Sequence, residues 1–107
     1  MTYRAITTGE ELMNFVAVKH PKDNRSFIFE LPMNTTVLAG QWVVVDTKMR
    51  DNEIAICVTP SFTGVPDVIC PLWGTTKRQM KRVKKLLRES TLKYEDDEER
   101  EEAKPFD

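Results

Sequence analysis

Residues 40–59 read Gly40-Gln41-Trp42-Val43-Val44-Val45-Asp46-Thr47-Lys48-Met49-Arg50-Asp51-Asn52-Glu53-Ile54-Ala55-Ile56-Cys57-Val58-Thr59, and this stretch decides the fold. Trp42 to Thr47 is aromatic and β-branched almost throughout, the composition that fits a pleated, half-buried surface. The polar run at 48–52 reads as a hairpin connection. From Glu53 the chain returns as a second strand, with Ile54, Ile56 and Val58 on one face and Ala55 and Cys57 on the other. Pro60 stops it. Ahead of the hairpin, Gly40 lets the chain turn cheaply at positive φ.

The same grammar extends towards the N-terminus. Phe15-Val16-Ala17-Val18 is a short apolar strand that ends at His20-Pro21-Lys22-Asp23-Asn24, a dense turn cluster. Ser26-Phe27-Ile28-Phe29-Glu30-Leu31 follows, with Phe27, Phe29 and Leu31 on one face at strand period, and Pro32 closes it. Residues 3–8 predict a further short strand, and residues 8–11 a capped helical turn. Residues 61–74 contain Gly64, Pro66, Pro71 and Gly74 and read as a loop, with a short strand at Val68-Ile69-Cys70. Four or five short strands over about 70 residues predict a mainly β domain, 1–74: a small antiparallel β-barrel of SH3-like or OB-like type.

After Gly74 the pattern changes. Thr76 is placed to cap a helix, and no Gly or Pro interrupts the chain to Glu89. At about 100° per residue, Met80, Val83, Leu86 and Leu87 fall within an arc of about 120°. Lys77, Arg78, Lys81, Arg82, Lys84, Lys85 and Arg88 fill the remainder. The expectation is an amphipathic α-helix over 75–91 that docks its apolar stripe on the barrel. Residues 92–107 are then an acidic, disordered tail, because Glu95-Asp96-Asp97-Glu98-Glu99-Arg100-Glu101-Glu102 has no apolar periodicity.

Charge is distributed in blocks. The 107 residues carry 16 Lys and Arg against 17 Asp and Glu, a net of −1. Residues 73–94 nevertheless hold eight cations and only Glu89, whereas residues 95–107 hold eight carboxylates against Arg100 and Lys104. A merely solubilising helix face normally mixes signs, so one this one-sided suits nucleic acid; a solvated or tail-docking face and an anionic membrane surface are the other readings. Seven cations on one face suit phosphate contacts, which orient a protein without reading sequence. Trp42, Phe27, Phe29, Phe62 and Trp73 are candidates to stack bases, and Phe62 and Trp73, in the 60–74 loop, are the ones expected at the surface.

Other chemistries find little footing. The single histidine, His20, lies in a turn without a visible partner, and no metal-spaced Cys/His cluster, G-x-S-x-G or Gly-rich phosphate loop is present. Neither catalysis, a metal nor a cofactor is expected. Cys57 and Cys70 sit in apolar surroundings and read as two buried reduced thiols, a disulfide requiring an oxidising compartment. No apolar run approaches the roughly 20 residues of a membrane helix. Met1-Thr2-Tyr3-Arg4 lacks the features of a secretory signal, so a cytoplasmic location is expected.

Two resemblances bear on context. Phe15-Val16-Ala17-Val18, Phe27-Ile28-Phe29-Glu30-Leu31-Pro32 and Gly40-Gln41-Trp42-Val43-Val44-Val45-Asp46-Thr47 together resemble the small β-barrel DNA-binding module of bacterial primosomal helicases. They are similar also to small proteins of Gram-positive phages and mobile elements. The likeness spans residues 14–59 and departs from the pattern where Ile54-Ala55-Ile56 stands in place of a second glycine. It implies a barrel fold and a DNA-handling context in a phage or mobile element. The closing Glu101-Glu102-Ala103-Lys104-Pro105-Phe106-Asp107 resembles the acidic, Pro-Phe-ended tails of bacterial single-stranded-DNA-binding proteins, although here Asp107 follows the Phe. That likeness implies partner binding through Pro105, Phe106 and Asp107.

The functional expectation is a non-enzymatic nucleic-acid-binding accessory protein of low sequence specificity. Its contacts would come from Lys77, Arg78, Lys81, Arg82, Lys84, Lys85 and Arg88, with Trp73 and Phe62 stacking. The alternative is a protein-interaction module whose barrel or Pro-Phe tail engages a replication or host partner. A third arrangement has helix and tail neutralising one another. DNA against RNA, single against double strand, and oligomeric state stay open at this level.

Overall fold

The computed structural model describes residues 12–87, 92 and 94. Among the described residues six strands and one helix occur, in the order β1 (Met13–Lys19), β2 (Ser26–Leu31), β3 (Trp42–Val45), β4 (Glu53–Cys57), β5 (Phe62–Gly64), α1 (Pro66–Leu72) and β6 (Val83–Leu86). The sheet runs β2-β1-β4-β3-β6, with β5 attached to β1, and every pairing is antiparallel. It curls into a half-barrel, and its two end strands meet at one point. There the Glu30 amide donates to the Lys81 carbonyl at 2.9 Å, and Glu30 bridges Arg82 in parallel.

Inside the curl lies the main core of Val16, Val18, Phe29, Leu31, Val37, Val43, Val45, Ala55, Cys57, Val83 and Leu86. In β1 to β4 these are alternate residues, so the period-2 pattern translates directly into one buried face; Val37 joins from the β2–β3 connection, and Val83 and Leu86 from β6. Strand β1 departs from simple alternation: Met13 through Val18 are all buried. The reason is a second cluster on its outer side, where Met13, Phe15, Ile28 and Cys70 are covered by Phe62, Ile69, Trp73 and Met80. Thus α1 and the segment that follows it lie across the back of β1 and β2. Phe15 meets Phe62 with ring centroids 5.6 Å apart.

Asn14, the one buried polar side chain among the described residues, donates from Nδ2 to the carbonyls of Pro32 (2.8 Å) and Thr35 (2.7 Å). It fixes the exit from β2, where Pro32 supplies no amide of its own. The two thiols are free and buried in different clusters. Burial pushes Cys57 up to about 11, and Cys70 is raised by burial and then by the nearby Asp67.

Two expectations are corrected. Residues 66–72 form a helix rather than a loop with a strand at 68–70. Pro66 opens it at the first helical position, where a missing N–H costs nothing, and Gly74 leaves at φ +73°. A short strand falls instead at Phe62–Gly64. The larger correction concerns the basic segment. Where a helix was expected over 75–91, residues 77–79 turn and Val83–Leu86 is a strand paired with β3. The sheet therefore does not end at residue 74; β6 comes from the basic segment.

The pairing explains the misleading pattern. Val43 faces Leu86 and Val44 faces Lys85, but Val45 faces Val83, so Lys84 is an extra residue at a bulge. The bulge turns Val83 and Leu86 inward at a spacing of three, which on paper is helical spacing. The tail expected over 92–107 does not start at residue 92: Leu92 packs against the main core and Tyr94 is buried, because both close over the ends of β2 and β6. Helix positions 88–91, the expected strand at 3–8, the turn at 8–11 and the tail over 95–107 lie outside the described residues. Among the described residues no helix is long and apolar enough to cross a membrane.

Candidate nucleic-acid interface

The cations of the basic segment are sorted by the strand they lie on. Arg82, at the seam, gives Nε to Glu30 Oε1 at 3.1 Å, and its guanidinium lies 4.4 Å from the centroid of the Tyr94 ring. Tyr94 is buried, its hydroxyl 2.7 Å from the Val83 carbonyl and 2.9 Å from the Glu30 carbonyl, so its one proton is held between β6 and β2. Arg82 therefore serves the seam. Lys84 is engaged as well, reaching Asp46 Oδ1 at 3.3 Å and Asn52 Oδ1 at 2.8 Å across the β3–β4 hairpin. Asp46 is held below the usual carboxylate value, first by the Asn52 amide and then by Lys84.

Arg78, Lys81 and Lys85 remain without an ion pair among the described residues. Arg78 and Lys81 are exposed, and Lys85 is half-buried on the outer face of β6. Lys77 is exposed in the turn at 77–79. Arg88 lies outside the described residues, as do Pro105, Phe106 and Asp107.

The aromatic residues are placed differently from expectation. Phe62 and Trp73 are half-buried in the second cluster, where their surfaces meet Met13, Phe15 and Ile28. Phe29 is in the main core. Phe27 is exposed near the start of β2, with the Arg25 guanidinium 5.7 Å from its ring centroid. Trp42 is the aromatic on the open face: 39% of it is exposed at the start of β3. With Gln41, Ile54 and Leu87 it lines a shallow groove.

The groove follows from the same alternation that builds the core. Val43 and Val45 point inward, so Trp42 and Val44 point outward; Ala55 and Cys57 point inward, so Ile54 and Ile56 point outward. The outer phase of β3 begins on exposed Trp42 and ends on half-buried Asp46, with Val44 buried between them, and that carboxylate was the signal that the two ends of this phase reach solvent. Among the described residues no helix covers this side. What results is an apolar strip on the convex sheet with Lys85 beside it and Arg78 and Lys81 preceding β6 in the chain.

Compared with family models, with curated proteins and with solved structures, the chain matches none.

Proposed function

We infer that the protein is a non-enzymatic nucleic-acid-binding accessory protein, a small barrel of OB-like or SH3-like kind that contacts phosphates without reading sequence. The observation that carries this reading is the set Arg78, Lys81 and Lys85, three cations of one short segment with no ion pair among the described residues. Within the same segment Arg82 and Lys84 are engaged by Glu30 and Asp46, whereas these three are not. A cluster of cations without ion pairs raises the local concentration of phosphate. The resemblance of residues 14–59 to DNA-binding barrels supports the same class, and a phage or mobile-element setting belongs to that resemblance.

Fluorescence anisotropy of the full-length protein with a labelled oligonucleotide, from 20 to 300 mM salt, tests the reading. The expected result is binding that weakens steeply with salt, with three to four phosphates' worth of slope at about 0.7–0.9 each. Absence of binding at the lowest salt overturns it. The alternative, a protein-interaction module, is favoured by the apolar groove at Trp42 and would then take its place.

A second expectation arises from Asp46. Asp46→Asn keeps an acceptor for the Asn52 amide but removes the charge that holds Lys84. Freed for phosphate, Lys84 should tighten binding severalfold and steepen the salt dependence by roughly one ion. Since the folded pKa of Asp46 lies below 3.8, the wild-type restraint is fully present near neutral pH and disappears only as pH falls through that depressed value. An unchanged salt slope in the variant would show that Lys84 stays with the hairpin.

A further inference from the structure

We propose that the outer face of β3 and β4 is a stacking platform for an unpaired nucleobase, with Trp42 as its aromatic surface and Lys85 as the cation for the adjoining phosphate. The proposal rests on the nucleic-acid reading above and names the form of ligand: a single strand.

The register of the sheet builds the platform. Ile56 lies directly across from Trp42 on β4, and on the other side the Leu87 amide donates to the Trp42 carbonyl at 3.1 Å. Ile54 and Lys85 both lie opposite Val44, one diagonal step from Trp42 on its two flanks. Diagonal neighbours in a sheet stand roughly 7–8 Å apart, within reach of long side chains. The indole thus has hydrocarbon to either side and an ammonium group one step away.

The groove's lining, Gln41, Trp42, Ile54 and Leu87, contains no carboxylate. Gln41 uses its Oε1 to accept the Leu38 amide at 3.3 Å, and its amide nitrogen has no acceptor among the described residues. It supplies a hydrogen-bond donor for the edge of a base seated on the indole.

The chemistry of this surface selects a single strand. Inside a duplex both faces of each base are already stacked, and exposing one costs a few kcal/mol. A base in a single strand offers its face freely, and every base has one, so stacking is strong and tolerant of sequence. Lys85 decides against a purely apolar occupant: it is half-buried beside the groove with no ion pair among the described residues, and a nucleotide brings the anion it lacks.

Trp42→Leu keeps the apolar bulk and removes the aromatic face, and Trp42→Phe keeps a smaller one. Binding of a twelve-nucleotide oligo-dT is measured at fixed salt, with the matching duplex and inorganic polyphosphate as comparisons. Trp42→Leu should weaken oligo-dT binding roughly tenfold or more, while Trp42→Phe retains most of it. Polyphosphate binding and the salt slope should not change. In a Trp73→Phe background, where Trp42 is the sole indole, oligo-dT should quench the fluorescence and polyphosphate should not.

Oligo-dT binding that is indifferent to Trp42→Leu, with no quenching, overturns the platform and leaves the phosphate reading standing. A failure of every variant to bind any nucleic acid overturns both. A concentration-dependent dimer in sedimentation, abolished by Trp42→Leu, assigns the groove to a second copy of the chain and also overturns the platform.

Discussion

Phe15→Ala is expected to destabilise the protein by about 3–5 kcal/mol, the usual cost of emptying a fully buried phenylalanine site. Phe15 is completely buried on β1, yet it belongs to the outer cluster rather than the barrel interior. Its ring fills the space between β1, β5 and α1, against Phe62 and close to Gly64. None of these neighbours collapses easily into the void: β5 is hydrogen-bonded to β1, and α1 contains two prolines. A domain of this size has about 5–15 kcal/mol in total, so the loss is a large part of it. Urea denaturation checks the expectation through the midpoint at constant slope. A shift worth less than about 1 kcal/mol would mean that α1 is a loose cover and that β1 is effectively buried on one side only.

The largest effect on binding is expected from Arg78→Glu, Lys81→Glu and Lys85→Glu together. Each reversal removes one phosphate contact and adds a repulsion, so the triple variant should lose on the order of a hundredfold or more in affinity at low salt, with a nearly flat salt dependence. The choice of residues matters. Reversing Arg82 would break its pair with Glu30 and its contact with Tyr94, and reversing Lys84 would set two acids together at Asp46. Either would confound binding with stability. Arg78 and Lys85 make no such pair among the described residues, and Lys81 acts on Asp46 only through a weaker charge interaction than Lys84, so the fold, followed by circular dichroism, should persist. Binding equal to wild type by the triple variant would place the interface elsewhere.

Much of the sheet was legible in the sequence, and the reason is local. Val43 and Val45 against Trp42 and Val44, and Ala55 and Cys57 against Ile54 and Ile56, carry a two-residue period that only a strand with one buried face explains. Inner and outer phases of equal hydrophobicity are harder to tell apart, so Trp42 was as plausible inside as out. Phe62 and Trp73 were misplaced for a related cause. The outer cover of β1 is a tertiary arrangement between segments some fifty residues apart, and no short-range pattern announces it. The basic segment shows a different limit. Its helical spacing is produced by a bulge at Lys84, and a bulge exists only relative to the partner strand. Pro66 and Pro71 concealed α1 because both suggest interruption, whereas Pro66 starts the helix.

The seam between β2 and β6 also sets an order of events during folding. The β1–β2 and β3–β4 hairpins are local and can form quickly, since each closes a short loop. Joining Glu30 to Arg82 spans 52 residues and pinning Tyr94 to the Glu30 carbonyl spans 64, so these contacts carry the highest loop-closure cost. On the ribosome they must wait until the chain as far as Tyr94 has emerged. Until β6 has emerged β2 and β3 each expose a hydrogen-bonding edge, and the nascent protein passes through its most aggregation-prone state just before that strand arrives.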